Sequence, residues 1–69
     1  MNDLTKLQNA ISKFNMKFGT DINAELFVYT TCIKVTLNYA DKDTPFYFND
    51  IKDAIMNIKQ TYEIWLENE

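Results

Sequence analysis

A chain of 69 residues with 46% hydrophobic and 14% aromatic residues, one glycine and one proline is too apolar for a disordered tail or linker and long enough for one small core. Seven lysines and no arginine face ten carboxylates for a net charge of −3, which argues against a protein that grips nucleic acid by releasing counterions. The single cysteine, Cys32, forbids an internal disulfide, and the absence of histidine removes the usual zinc sets and the imidazole base of most nucleophilic enzymes.

The first segment predicts a helix, because Leu4, Leu7, Ile11, Phe14 and Phe18 recur at three and four residues and fall on one stripe. Asp3 is the expected N-cap, and Gly19 the expected left-handed stop. From Ile22 to Tyr39 the apolar period shortens to two. Ile22, Ala24, Leu26 and Val28 share one phase, whereas Ile33, Val35, Leu37 and Tyr39 are one residue out of step with it. One continuous strand would carry its apolar face from core to water, so a hairpin turn is expected between Tyr29 and Cys32, although Thr30 and Thr31 are unusual turn residues.

Asp41 to Pro45 reads as a polar turn, and Phe46, Tyr47 and Phe48 as a third strand at the sheet edge. Asn49 or Asp50 then caps a second helix, whose stripe is Ile51, Ile55, Ile58, Tyr62 and Trp65, widened by Ala54 and Leu66. The expected fold is therefore α+β, a single domain over residues 1–69 in the order α-β-β-β-α. Short connections favour a three-stranded antiparallel sheet with two helices on one face.

No catalytic, metal or cofactor site emerges, and none is expected. Asp41, Asp43, Asn49 and Asp50 resemble a calcium loop in composition only, since Pro45 and Phe46 occupy positions that need oxygen ligands and glycine. Cys32 reads as a small apolar residue, reduced in the cytoplasmic setting expected for a chain with no basic-apolar leader and no apolar run of membrane length.

Two surfaces are candidates for partner binding. If the apolar phase of the strands faces the helices, alternation sends Phe27, Tyr29, Thr31, Lys34, Thr36 and Asn38 outward, with Tyr47 beside them. Aromatic rings ringed by polar side chains are the pattern of a protein recognition site. The second surface is the outer side of the last helix, where Asp53, Glu63, Glu67 and Glu69, with Asp50, Asp41 and Asp43 expected nearby, would surround the exposed Met56 and Ile64. Residues 1–40 carry four lysines against three acids and residues 41–69 three against seven, so a basic partner would meet the second half.

The small size, the acidic second half, the helix–meander–helix order and the acidic final helix from Asp50 to Glu69 resemble the small inhibitors encoded by bacteriophages of low-GC bacteria, anti-CRISPR proteins among them. Asparagine, lysine and isoleucine supply 22 of the 69 residues, the bias of AT-rich coding sequence. The resemblance implies a non-catalytic protein that occludes a nucleic-acid-processing defence enzyme, such as a CRISPR effector. The competing expectations are a homodimer joined through the Phe27 and Tyr29 face, and weak nucleic-acid binding through Lys13, Lys17 and Lys34 with stacking on the rings.

Overall fold

The computed structural model describes residues 2–68, so the part of the acidic set assigned to Glu69 lies outside the described residues. Its elements run α1 (Asp3–Phe18), β1 (Ile22–Val28), β2 (Ile33–Tyr39), β3 (Lys42–Phe48) and α2 (Ile51–Glu67). The sheet is an antiparallel meander in the order β1-β2-β3, and this is the α+β, α-β-β-β-α architecture expected.

Both helices lie on one face of the sheet because both stripes need the same cover. Leu7, Ile11, Phe14 and Phe18 of α1 form one buried cluster with Ala54 and Ile58 of α2 and with Ile22, Ala24 and Val35 of the sheet. Ile51, Ile55, Tyr62 and Trp65 pack at its margin. Phe18 sits 5.2 Å from Tyr62 and 6.2 Å from Trp65 between ring centroids, and Trp65 meets Tyr39 edge-on at 5.2 Å, closing the core at the end where α1 turns into β1. The helices leave the margins of the sheet open. Val28 and Tyr39 share the core-facing phase yet remain more than half exposed, Phe46 of the same phase is about one-third exposed, and Leu66, expected on the stripe of α2, is exposed as well.

The helix ends depart from expectation in two places. Asn2, not Asp3, caps α1: its backbone is extended and its carboxamide oxygen accepts from the Leu4 N–H at 2.7 Å. Asp3 falls within the first turn, where its charge still suits the helix dipole. Gly19 is right-handed, at φ −59°, so it serves close approach and not a left-handed turn. Its N–H donates to the Asn15 carbonyl at 2.8 Å, and a Cβ there would stand 2.3 Å from that oxygen. At α2 the cap is Asp50, accepting from the Lys52 N–H at 3.0 Å.

The two hairpins invert the turn chemistry suggested by composition. Between β1 and β2, Tyr29 N–H donates to the Cys32 carbonyl at 2.9 Å, and none of residues 29–32 takes a positive φ, so no glycine, asparagine or aspartate is required. Across this turn the two out-of-step phases meet: Val28 pairs with Ile33, Leu26 with Val35 and Ala24 with Leu37, all facing the helices. The second turn is tighter and earlier than expected. It is Ala40 and Asp41 alone, at φ 51° and 65°, the two positive values of a type I′ loop. Lys42 through Pro45, expected as turn, belong to β3.

An alanine at φ 51° is strained, since its Cβ crowds the backbone there. Replacing Ala40→Asn together with Asp41→Gly is expected to stabilise the fold by about 0.5–1 kcal/mol, raising the melting temperature by a few degrees. Thermal denaturation followed by circular dichroism checks this, and an unchanged midpoint would mean that the loop relaxes at no cost.

Candidate functional site

Strand register builds the first surface. On the face away from the helices, Phe27 of β1 pairs with Lys34 of β2, which pairs in turn with Tyr47 of β3. Tyr29 follows two residues beyond Phe27, on the same side. The Lys34 Nζ lies 4.5 Å from the Phe27 ring centroid and 5.6 Å from that of Tyr29. Phe27, Tyr29, Lys34 and Tyr47 therefore share the open face, as alternation predicted, but the cation sits among the rings and not at their rim.

The Lys34 ammonium is held above the ordinary lysine pKa chiefly by hydrogen bonding with Tyr29, against a desolvation that lowers it, with smaller upward contributions from the charges of Tyr29, Tyr47 and Cys32. It stays a full cation through the neutral range. Its rings offer exposed apolar area, with Phe27 38%, Tyr29 48% and Tyr47 64% exposed. Towards the other end of the same face the character turns acidic. Glu25 accepts from the Asn38 side chain, and Asp43 lines the shallow depression that runs from Phe27 and Lys34 past Thr36 and Pro45. Thr36 is nearly buried at the centre of this face, because its neighbours on β1 and β3 close over it.

The acidic surface expected on α2 is not one patch. Asp53, Met56, Glu63 and Glu67 do share the solvent side of the helix, and Met56 and Ile64 are more than half exposed. Lys52 and Lys59 lie along the same groove as Met56 and Glu63, so cations interleave with the acids. Asp50 is engaged as the helix cap. Asp41 and Asp43 lie at the opposite end of β3 from Asp50, because the strand that was expected to begin at Phe46 begins at Lys42. That separation, about 20 Å along a seven-residue strand, also removes any semblance of a calcium loop.

Sequence reading missed Asn15. Its carboxamide donates from Nδ2 to the Ala24 carbonyl at 2.9 Å and accepts at Oδ1 from the Ala24 N–H at 2.7 Å. The side chain thus mimics the peptide of a neighbouring strand at the edge of the sheet. A polar residue of poor helix propensity inside α1 was the available signal, and its partner nine residues on was not legible.

No protein-family model, curated protein or solved structure matches the chain significantly. The assignment of function therefore rests on the two surfaces. They lie on opposite sides of the molecule, the aromatic and lysine cluster on the bare sheet and the mixed-charge stripe on α2. Among the described residues, no helix is long and apolar enough to cross a membrane.

Proposed function

We propose that the protein is a non-catalytic binding domain that occludes a protein partner through the uncovered face of its sheet. The observation that carries this reading is the cluster of Phe27, Tyr29 and Tyr47 around Lys34 on a face that no other element covers among the described residues. Aromatic rings are rigid anchors that bury large area at little entropic cost, and a cation already seated on them has lost part of the freedom that binding would otherwise remove. The resemblance to small phage-encoded inhibitors favours a nucleic-acid-processing defence enzyme such as a CRISPR effector, and the net charge of −3 would steer the basic surface of such an enzyme towards this chain.

The test is capture of a partner by the tagged protein from a low-GC bacterial host, followed by assay of the captured enzyme with and without it. The double variant Tyr29→Ala, Lys34→Glu is expected to fold normally and to weaken capture by at least about thirtyfold, as loss of a central anchor does. Glu63→Lys with Glu67→Lys is expected to change affinity by less than about fivefold. Capture that survives the first pair and fails with the second would move the interface to α2.

The polarity of the sheet face favours one second reading. Lys34 stands towards one end and Asp43 at the other, with the Glu25 carboxylate turned from the middle towards Asn38, so two copies stacked antiparallel would oppose unlike charges. A dimer in sedimentation that dissociates with Lys34→Glu would establish it.

A further inference from the structure

The two edges of the sheet are protected unequally, and the difference follows from register. In an antiparallel pair the bonded and non-bonded positions alternate. The bond from Tyr29 N–H to Cys32 makes Phe27, Glu25 and Asn23 bonded positions on β1, so Ala24, Leu26 and Val28 turn their peptide groups outward. The two-residue loop at Ala40 and Asp41 makes Tyr39 and Lys42 a bonded pair, so Asp43, Pro45 and Tyr47 face outward on β3.

On β3 the outward edge is unfit for another strand. Pro45 has no N–H to give, and Asp43 places a charge beside it. On β1 the edge is stoppered at Ala24 by the Asn15 carboxamide, which takes both its N–H and its C=O. Beyond Ala24 the stopper ends. The outward N–H and C=O groups of Leu26 and Val28 have no partner among the described residues, and Val28 is 58% exposed.

We infer that this short edge, Leu26 to Val28, is a docking site for an extended segment of a partner protein, added antiparallel as a fourth strand. The inference rests on the reading of the protein as a binding domain and names the chemistry of what it binds. Unpaired strand donors and acceptors are matched by another strand, and two bonded positions allow about four ladder hydrogen bonds. Side chains opposite Leu26 and Val28 would lie on the helix side, where apolar residues fit. The side chain between them would lie on the open face opposite Phe27, within reach of the Lys34 ammonium seated 4.5 Å over that ring. The complementary segment is therefore apolar, acidic, apolar in alternation.

The probe is the capped peptide Ac-Ser-Thr-Val-Glu-Val-Thr-Ser-NH2, titrated at millimolar concentration into the full chain and followed by amide NMR shifts and hydrogen exchange. Binding is expected to slow exchange at Leu26 and Val28 and to leave Asp43 and Tyr47 unaffected. N-methylation of the two valines, whose N–H groups would face β1, is expected to weaken binding about tenfold or more. N-methylation of the glutamate, whose N–H would point away, is expected to change it little. Exchanging the peptide glutamate for lysine should cost about threefold, and Lys34→Glu should reverse that preference.

Indifference to valine N-methylation, or shifts confined to β3, overturns the inference. So does protection of Leu26 and Val28 in the absence of peptide together with a dimer in sedimentation, which would put a second copy on the edge. Loss of the edge result with capture still dependent on Tyr29 and Lys34 would leave the binding-domain reading standing.

Discussion

Phe14→Ala is expected to bring the chain to the margin of folding. Phe14 is completely buried and is the largest such side chain, with its ring 5.2 Å from that of Phe18 at the centre of the cluster that joins α1, α2 and the sheet. Truncating a buried phenylalanine removes its transfer free energy and leaves a cavity, together about 3–5 kcal/mol. A domain of 69 residues commands about 3–10 kcal/mol in all. Urea denaturation should show the midpoint falling towards zero, whereas Phe27→Ala on the exposed face should lower the unfolding free energy by less than about 1 kcal/mol. Comparable losses from the two would mean that the open face is part of the folding core.

Asn15→Asp is expected to cost about 2 kcal/mol at neutral pH, although it alters one atom of one side chain. The Ala24 N–H keeps its acceptor, but the Ala24 carbonyl loses its donor and faces a carboxylate oxygen across a half-buried contact. The charged form is the disfavoured one, so the new carboxyl has a higher pKa folded than unfolded. Protonation restores a donor. The lost stability is therefore recovered as pH falls through the folded pKa and is absent above it, opposite in direction to the usual behaviour of an acidic side chain. Asn15→Ala should be destabilised without this pH dependence. It also exposes the ladder groups of Ala24 and lengthens the free edge, so concentration-dependent association should increase. Asn15→Asp and Asn15→Ala curves that both coincide with that of the unsubstituted protein at every pH would show that the carboxamide is spectator to the edge.

These two residues illustrate different degrees of legibility. Phe14 belongs to a stripe at three- and four-residue spacing, and such a stripe has few ways to be buried other than as one face of a helix. The same holds for Ile58 and Ala54 in α2. The open face was legible too: once Ile33, Val35 and Leu37 must face the core, alternation leaves Lys34 no other side, and Phe27 and Tyr47 follow by pairing. In each case local periodicity carries the information.

The second turn was misplaced for an instructive reason. Asp41, Asp43 and Pro45 are loop residues by propensity, yet Pro45 is accommodated in β3 because its position turns the missing N–H away from β2. Alanine at positive φ carries no compositional signal, so Ala40 gave no hint that the chain reverses there. The acids of α2 were readable as a series but not as a field, since Lys52 and Lys59 share their side and Asp41 and Asp43 are a strand's length from Asp50.

Periodicity and composition thus sufficed for the order of elements, the buried stripes, the exposed rings and the lack of imidazole and guanidinium chemistry, because each depends on residues a few positions apart. Which edge of the sheet is stoppered, where the helices stop covering it, and which acids are neighbours depend on contacts between elements. Those contacts arise when α1 folds back on β1 and brings the Asn15 carboxamide to Ala24, an arrangement set by packing across the whole core and encoded in no single stretch of chain.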